Sequence, residues 1–369
     1  MREGHPLGKR IAGFDGLRAI AAIAVVFCHT VAGRTQIGGY AVNLFFALSG
    51  FLILSILYDT RRSIERREIA VGTALGNFWT RRFARICPVY YVVLAFALPW
   101  LVSTGQMPLE HTPAYIAYVQ NYLILWTGEW GAFGYTWTLA VEQQFYVLSA
   151  AAVLLTPSQQ HRPLLGAMAV ILLVAALALG QMPWLISAFS VDRLPLVGFS
   201  MASAGGWLAL SWREGRSFGG LLSFPAFVVA LAICAVLAPI PAAWLSGNPI
   251  TLFAQPIVQL VAVCVILGHI VTHQQSAVVR FLDHRILKFY GAISYSLYLC
   301  HGILADQLKE IWFEANLGIG VVNFAVERLS YFAFILGIST VIATLLWTYV
   351  ERVFHKSRPA VPAAPLATA

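Results

Sequence analysis

The chain has 369 residues, of which 59% are hydrophobic and only 11% are charged. A soluble domain of this size would have too few polar residues to cover its surface, so the composition excludes a soluble globular protein and predicts a chain embedded in lipid. The formal net charge of +8 would suit nucleic acid. The basic residues, however, lie in short segments between apolar stretches and form no polar domain, so we expect no nucleic-acid partner.

Ten apolar stretches follow one another along the chain, each close to the roughly 20 residues that a helix needs to cross the hydrocarbon. They cover residues 14–32, 40–58, 86–104, 139–156, 164–180, 192–211, 221–238, 250–271, 288–308 and 327–350. This pattern predicts an all-α integral membrane protein with about ten transmembrane helices. We expect one membrane domain over residues 14–352, a cytoplasmic segment over 1–13, and a cytoplasmic, disordered tail over 353–369.

The positions of Lys and Arg predict the orientation of the chain, because these residues accumulate in cytoplasmic loops. With the amino terminus inside and ten spans, 19 of the 24 Lys and Arg residues fall on the cytoplasmic side. Those that fall outside are Arg34, Arg193, Lys309 and Arg328, and the remaining one, Arg18, lies inside the first span. Both termini are therefore predicted to be cytoplasmic.

The first stretch resembles a secretory signal peptide only superficially. The apolar core of a signal is short and uncharged, whereas this stretch is long and carries Asp15, Arg18 and His29. Cleavage is therefore not expected. The five cysteines all fall inside or at the edges of predicted spans, so an extracellular disulfide framework is not expected either.

Two predicted loops are long. The cytoplasmic loop over residues 59–85 is strongly basic, whereas the outer loop over residues 105–138 has no Lys or Arg and is rich in aromatic residues. Asn121 and Trp137 lie in this outer loop. Its aromatic residues fit either a belt at the membrane interface or a surface on which sugar rings stack, and both interpretations stay open.

Ionisable residues inside a span are costly in lipid and by default mark a polar site. Arg18 and His29 are eleven residues apart, close to three helical turns, so both share one face of the first span with about 16 Å of rise between them. The sequence therefore predicts a basic group near the cytoplasm and an imidazole near the outer side.

Three other spans carry polar residues that we expect in the outer half of the membrane. Asn43 and Ser49 lie in the second span, although a Ser-Gly pair is also typical of close helix packing. Glu142 lies near the outer start of the fourth span, at the expected depth of His29. Glu142 could therefore hold one ring nitrogen of His29, as carboxylates do in hydrolase triads.

The ninth span contributes Tyr298 and His301, which share a helical face at a spacing of three residues. A hydrogen-bonding role in packing is an open alternative for His301. At the cytoplasmic end, Arg81, Arg82 and Arg85 form a cluster that suits phosphate groups, although any basic loop also pairs with anionic lipid.

Six segments together resemble acyltransferase family 3, the integral-membrane O-acyltransferases that modify bacterial surface glycans. In chain order they are FDGLRAIAAIAVVFCH, NLFFALSGFLI, RRFARICPVYY, VQNY, TWTLAVEQQFY and ISYSLYLCH. The resemblance covers nearly the whole chain. It departs from the family pattern at Thr138, where the family usually has Ser, and at Val353, where it usually has Pro after Glu-Arg.

The resemblance implies a multi-pass protein of the bacterial inner membrane. It implies His29 as catalytic base with Arg18 as its partner, Glu142 as a further site residue, and Arg82 and Arg85 as contacts to acyl-CoA. An acyl group, expected to be acetyl, would pass from cytoplasmic acyl-CoA to a hydroxyl of an extracytoplasmic sugar, and no metal is expected. Donors to the developing oxyanion would come from Asn43, Ser49 or Tyr298.

Several points stay open at the level of the sequence. The acceptor could be O-antigen, exopolysaccharide, peptidoglycan or a lipochitooligosaccharide, and the oligomeric state is undetermined. Direct transfer and an acyl-enzyme through His29 or Ser49 both stay open, as does the choice between acetyl and a longer acyl group. The rival class is a transporter or flippase for a lipid-linked glycan or a proton-coupled solute, which would also need charges in the membrane. The absence of paired broken helices and of an internal repeat in the sequence disfavours it.

Overall fold

A computed structural model describes residues 10–33, 35–179, 195–240, 249–316 and 324–356. This part of the chain is helical and has no β-strand. Its α-helices are α1 (Phe14–Thr30), α2 (Ile37–Glu65), α3 (Val71–Ser103), α4 (Thr112–Ile116), α5 (Gln120–Thr127), α6 (Trp137–Leu155), α7 (Ser158–Leu179), α8 (Leu196–Arg213), α9 (Phe224–Leu237), α10 (Pro249–Thr272), α11 (Ala277–Leu282), α12 (Arg285–Gln307), α13 (Lys309–Asn316), α14 (Phe324–Leu346) and α15 (Arg352–Lys356). A π-helical turn, Trp347–Glu351, joins the last two.

Each of the ten predicted stretches overlaps one long helix of the described chain. Six helical segments are long and apolar enough to cross a membrane, namely Ile37–Glu65, Val71–Ser103, Gly134–Leu155, Ser158–Leu179, Ala254–Thr272 and Val326–Phe354. The predicted all-α membrane class is thereby confirmed. The number of spans and the sides of the two termini stay predictions.

The basic segment over residues 59–85 is not a loop. Helix α2 continues to Glu65 and α3 begins at Val71, so residues 66–70 alone connect them. At 29 and 33 residues, these helices are about 44 and 50 Å long, which exceeds the hydrocarbon thickness of about 30 Å. Both helices are therefore long enough to extend beyond the hydrocarbon. Arg81, Arg82 and Arg85 lie on α3 rather than in a loop. We call this end of the bundle, marked by residues 61–67, the basic end, and the opposite end, marked by residues 31–33 and 308–314, the far end.

The segment predicted as an aromatic outer loop folds back onto the helices. Phe133 and Tyr135 are buried, and the ring of Tyr118 stacks on that of Tyr90 with 4.2 Å between centroids. Trp126, by contrast, is 79% exposed. Some of these aromatic side chains therefore belong to the hydrophobic core. Neither an interfacial belt nor a sugar-stacking surface predicts that position. Of the predicted tail, residues 353–356 continue the helix as part of α15, and the rest lies outside the described residues.

Helix α1 is held by backbone approaches that only glycine permits. A Cβ on Gly16 would lie 2.1 Å from the carbonyl oxygen of Leu282, and one on Gly291 would lie 2.2 Å from that of Asp15. Such approaches bring α11 and α12 directly onto α1. They fix the rotation of α1 and, with it, the directions of the side chains that α1 presents to the bundle.

Helices α2 and α8 meet in the same way. A Cβ on Gly50 would lie 1.9 Å from the carbonyl oxygen of Ala202, and one on Gly205 would lie 2.0 Å from that of Ala47. The Ser-Gly pair of α2 therefore marks a close packing point through Gly50. Ser49, the neighbouring residue, is left on a different face of α2.

We predict that Gly205→Ala destabilises the protein by about 1–3 kcal/mol, because the added methyl group has to displace backbone atoms. The matched control is Gly76→Ala in α3, where nothing lies within 4 Å of the added Cβ and where alanine favours the helix by up to about 1 kcal/mol. Thermal unfolding in detergent measures both. Equal melting temperatures for the two variants would contradict the packing described.

Candidate active site

Glu142 lies at the centre of the bundle, where α2 and α6 meet. Its Oε1 accepts hydrogen bonds from the hydroxyl groups of Ser49 and of Tyr146. Tyr146 follows Glu142 by one helical turn on α6, and Ser49 comes from α2. Both hydroxyl groups thus hold the carboxylate in one orientation, and the bond from Ser49 ties α6 to α2.

Two adjoining cavities share Arg18, Ser49, Glu142 and Tyr295 in their walls. One, with a volume of about 50 Å³, extends to Thr138 and Tyr298, while the other, of about 30 Å³, extends to Arg82 and Arg85. We call the two together the inner cavity. It has room for a few water molecules or a small chemical group, but not for a nucleotide.

The inner cavity is strongly cationic. Its described walls contain the guanidinium groups of Arg18, Arg82 and Arg85 and a single carboxylate, that of Glu142, which gives a net formal charge of +2. The Nε atoms of Arg18 and Arg82 are buried with no described hydrogen-bond partner. Buried polar atoms normally find partners, so this cavity suits an anionic or hydrogen-bond-accepting ligand.

Two of the three arginines in the predicted cluster line the inner cavity, and the third does not. Arg82 and Arg85 line the inner cavity, and the guanidinium of Arg82 lies 5.8 Å from the ring centroid of Tyr146. Arg81 is not among the residues that line either part of it. A spacing of three residues along α3 keeps Arg82 and Arg85 on one face, whereas Arg81 is rotated by about 100° from Arg82.

Above the inner cavity, a layer of side chains closes the way to the far end. We call Tyr135, Thr138, Tyr298 and His301 the septum. The hydroxyl groups of Thr138 and Tyr298 lie 2.6 Å apart, and that of Tyr298 donates to the Tyr135 carbonyl oxygen over 2.8 Å. The Tyr135 hydroxyl donates to the Leu299 carbonyl oxygen over 2.6 Å. These bonds join the start of α6 to α12.

His301 is fully buried in the septum, and its tautomer follows from its surroundings. Its Nδ1 lies 2.7 Å from the carbonyl oxygen of Tyr298. Because a carbonyl only accepts, Nδ1 carries the hydrogen, and the neutral ring has its lone pair on Nε2. That Nε2 is buried and has no described hydrogen-bond partner.

His29 stands directly beside this histidine. The centroids of the two imidazole rings are 5.0 Å apart and the ring planes are inclined by 72°, with no hydrogen bond between the two rings in this structure. The ring of Tyr135 is 5.9 Å from that of His29. His29 is exposed, whereas His301 has no accessible surface.

His29 opens onto a third and larger cavity at the far end, which we call the far cavity. It has a volume of about 680 Å³ and is polar, with Asp306, Lys309 and Arg328 in its walls. Gly302 also lines it, and a Cβ there would lie 2.3 Å from the Tyr135 ring. The septum therefore separates the far cavity, which contains His29, from the inner cavity, which contains Arg18.

The expected depth of Glu142 is wrong. The structure brings Glu142 together with Arg18, and the residue of that segment beside His29 is Tyr135, seven positions earlier. Those seven positions correspond to about 10 Å of helix. The cause is the folding of the aromatic segment into the bundle, which starts α6 below the level assumed from hydropathy. The carboxylate accordingly binds Ser49 and Tyr146, and the hypothesis that it orients His29 is not supported.

The remaining candidates lie away from these cavities. The amide of Asn43 donates to Oε1 of Gln259 on α10. Asn121 is buried and accepts a hydrogen bond of 2.8 Å from Gln144, which attaches α5 to α6. Trp137 packs against an apolar cluster between α2, α6 and α8. Asn43 and Asn121 therefore join elements in this structure.

Several residues that the structure brings into the site carry no specific signal in the sequence. Tyr135 lies in a segment with many aromatic residues, and Tyr146 was not among the residues expected to form the site. Asp306 was not expected in the site either, and Lys309 was expected only as one of the four outer cations. In the described part of the chain, no group of three or more His, Cys, Asp or Glu residues is arranged to hold a metal ion.

Helices that suit a membrane and charged cavities on both sides of a septum define a multi-pass membrane protein with a buried polar site. Comparison with known proteins identifies its family. The model of the acyltransferase 3 family, described as an acyltransferase domain, matches residues 11–348. The chain belongs to this family.

Three individual relatives share between 25% and 30% identical residues with this chain over the aligned parts. The peptidoglycan O-acetyltransferase OatA of Listeria monocytogenes is 25% identical over 326 residues, which cover 79% of this chain and 49% of OatA. YrhL of Bacillus subtilis, provisionally named a peptidoglycan O-acetyltransferase, is 30% identical over 38% of this chain and 23% of its own. A provisionally named O-acetyltransferase of Staphylococcus aureus (strain COL) is 25% identical over 94% and 58%. The matched parts thus span between 23% and 58% of the length of these relatives. No solved structure matches it significantly.

Proposed function

We propose that the protein is an O-acyltransferase that moves an acyl group, specifically acetyl, from cytoplasmic acyl-CoA to a hydroxyl of an extracytoplasmic glycan. The observation that carries the proposal is the arrangement of a cationic inner cavity and an imidazole in the far cavity on opposite sides of one septum. The names of the relatives, O-acetyltransferases of peptidoglycan among them, support transfer to a sugar hydroxyl.

The sidedness of the reaction follows from the distribution of charge. The basic end carries the Arg61, Arg62, Arg66 and Arg67 group, and such groups are retained on the cytoplasmic side of bacterial membranes. In our proposal the inner cavity therefore faces the cytoplasm of a bacterium through its inner membrane. His29 then faces the extracytoplasmic side, where the glycan lies.

The donor is recognised by its phosphate groups. Arg82 and Arg85 offer forked hydrogen bonds to phosphate, and a net positive cavity attracts a polyanion. Since the described inner cavity is too small for a nucleotide, only the thioester end enters it in our proposal. The nucleotide part stays at the basic end, and Arg18 lies further along the path toward the septum.

His29 is the proposed base. It accepts the proton of the acceptor hydroxyl, the acceptor oxygen forms a bond to the acyl carbonyl carbon, and the carbon–sulfur bond breaks. The thiolate of CoA leaves and takes a proton from water on the cytoplasmic side, while the imidazolium of His29 gives its proton to water in the far cavity, so charge and atoms balance. The hydroxyl of Tyr298 lines the inner cavity and is the candidate donor to the developing oxyanion, once it turns away from the Tyr135 carbonyl oxygen that it bonds in this structure.

His301 takes the orienting role that the sequence had suggested for Glu142. Its Nε2 lone pair can accept a hydrogen bond from one ring nitrogen of His29, which leaves the lone pair on the other nitrogen for the acceptor hydroxyl. The carbonyl oxygen of Tyr298 fixes the tautomer of His301 in turn. His301 is therefore a positioning residue in this mechanism.

We predict that His29→Ala lowers acetyl transfer at least about 100-fold, the contribution expected of a general base. The measurement is CoA release by protein in nanodiscs with acetyl-CoA and a tetrasaccharide of alternating N-acetylglucosamine and N-acetylmuramic acid, together with the O-acetyl content of surface glycans in cells. The control is His273→Ala, an exposed histidine that follows α10. Normal O-acetylation by well-expressed His29→Ala protein would overturn the mechanism.

Substitution in the arginine cluster should separate its members. Arg82→Gln and Arg85→Gln should each raise the KM for acetyl-CoA about tenfold, because each removes a charge-assisted hydrogen bond to phosphate. Arg81 does not line the inner cavity, so Arg81→Gln should change the KM for acetyl-CoA less than twofold. An equal effect at all three positions would point to a general surface charge rather than a binding site.

The role of His301 is tested by two variants of similar size. We expect His301→Leu to lower kcat about 100-fold with an unchanged KM for acetyl-CoA, since no acceptor remains for the ring of His29. His301→Gln should recover part of kcat because its amide oxygen can accept the same bond. A purely structural role would instead lower the melting temperature of both variants without this difference in kcat.

The rival class is a transporter or flippase, which would use the same polar path without chemistry. Stoichiometric release of CoA and appearance of acetyl ester on the acceptor exclude that class. Translocation of a glycan without CoA release by the same nanodisc preparation would favour it.

A further inference from the structure

The far cavity has a charge pattern that bears on the acceptor. The positive-inside rule predicts that 4 of the 24 Lys and Arg residues lie on the outer side, namely Arg34, Arg193, Lys309 and Arg328. Arg34 and Arg193 lie outside the described residues. Lys309 and Arg328 both line the far cavity, which also contains His29.

Cations are scarce on that side of the protein, so two of them in the wall of one cavity require a local reason. Asp306 is the acidic residue in the described wall, which leaves a net formal charge of +1. Glu310 and Glu314 of α13 and Glu327 of α14 belong to the same elements but are not among the residues that line the cavity. The two cations of these elements therefore line the cavity, whereas their three glutamates do not.

Lys309 is the more informative of the two cations. It is the first residue of α13 and is exposed, and its charge acts on the nearby carboxylate of Asp306 without forming a close ion pair with it. Arg328 also has a structural role, because it donates to the Thr30 carbonyl oxygen at the end of α1 over 3.4 Å and lies 5.4 Å from the ring centroid of Phe313. A substitution of Arg328 would disturb the position of α1, whereas one of Lys309 would not.

We propose that the far cavity recognises an acceptor glycan that carries an anionic group, a carboxylate or a phosphate, which binds Lys309 and Arg328 while a sugar hydroxyl lies at His29. The volume of about 680 Å³ is within the range of about 300–1,000 Å³ typical of small-molecule sites. The carboxylate of Asp306 is placed to accept hydrogen bonds from further sugar hydroxyls. The inference rests on the proposed function for the role of His29, but it predicts binding, which is measurable without catalysis.

The experiment compares two acceptors that differ in one group. Chitotetraose is neutral, and the tetrasaccharide of alternating N-acetylglucosamine and N-acetylmuramic acid has the same backbone with a carboxylate on every second ring. A third probe, N-acetylglucosamine on a short isoprenyl diphosphate, tests whether phosphate near a lipid is the recognised group. Binding of each to the full chain in nanodiscs is measured by thermophoresis, and CoA release is measured separately.

We expect an anionic probe to bind the wild-type protein about tenfold more tightly than chitotetraose, the size of one charge-assisted hydrogen bond. Lys309→Gln should bring this ratio toward one, Lys309→Glu should invert it, and added salt should weaken it in the wild type. The control is Lys288→Gln on α12. Lys288 lies at the basic end, where it pairs with Asp283. This variant should keep the full preference.

Each outcome decides a different question. A carboxylate preference identifies the group on the glycan, and a diphosphate preference identifies the group on a lipid carrier. Equal binding of the neutral and anionic probes, or a preference kept in Lys309→Gln, overturns the inference and leaves the proposed function intact if CoA is released. A charge preference without CoA release from any probe supports the inference and counts against the proposed function.

Discussion

The bundle depends on one carboxylate that partly offsets three cations in a place where water is scarce. Isolated charges inside a membrane cost several kcal/mol, so Arg18, Arg82 and Arg85 need an acidic counterpart within reach. Glu142 is the carboxylate that they share in the described walls. Two hydroxyl groups hold it in place, and one of them comes from another helix. Helices α1, α2, α3 and α6 therefore have to meet at one level of the bundle.

Helix α12 connects this charged level with the opposite end. One face of it presents Tyr295 to the inner cavity, Tyr298 and His301 to the septum, and Gly302 to the far cavity. These positions recur at three and four residues, which is the repeat of a helical face. A single helix therefore sets the distances between the two chemical halves of the proposed site, and glycine contacts hold α1 rigidly beside it.

The features that could be predicted from the sequence are those decided by local periodicity. Ten apolar stretches gave the helices, and a spacing of eleven residues gave the separation of Arg18 from His29, because both follow from helix geometry alone. The depth of Glu142 could not be predicted, since it depends on how residues 104–136 fold into the bundle. Asn43 bonds Gln259, which lies 216 residues later in the chain. His301 lies beside the ring of His29, which belongs to the first helix. Such long-range contacts cannot be seen in a single sequence.

The septum has a consequence for the energetics of the cell. A continuous column of water through the bundle would conduct protons and ions and would dissipate the membrane potential. Four side chains tied by hydrogen bonds seal the described path at its middle, whereas a two-carbon group is small enough to be handed across by changing its bonding partner. For an enzyme of the proposed kind, chemistry replaces transport: the group crosses the barrier as part of a reaction, and the membrane stays electrically closed.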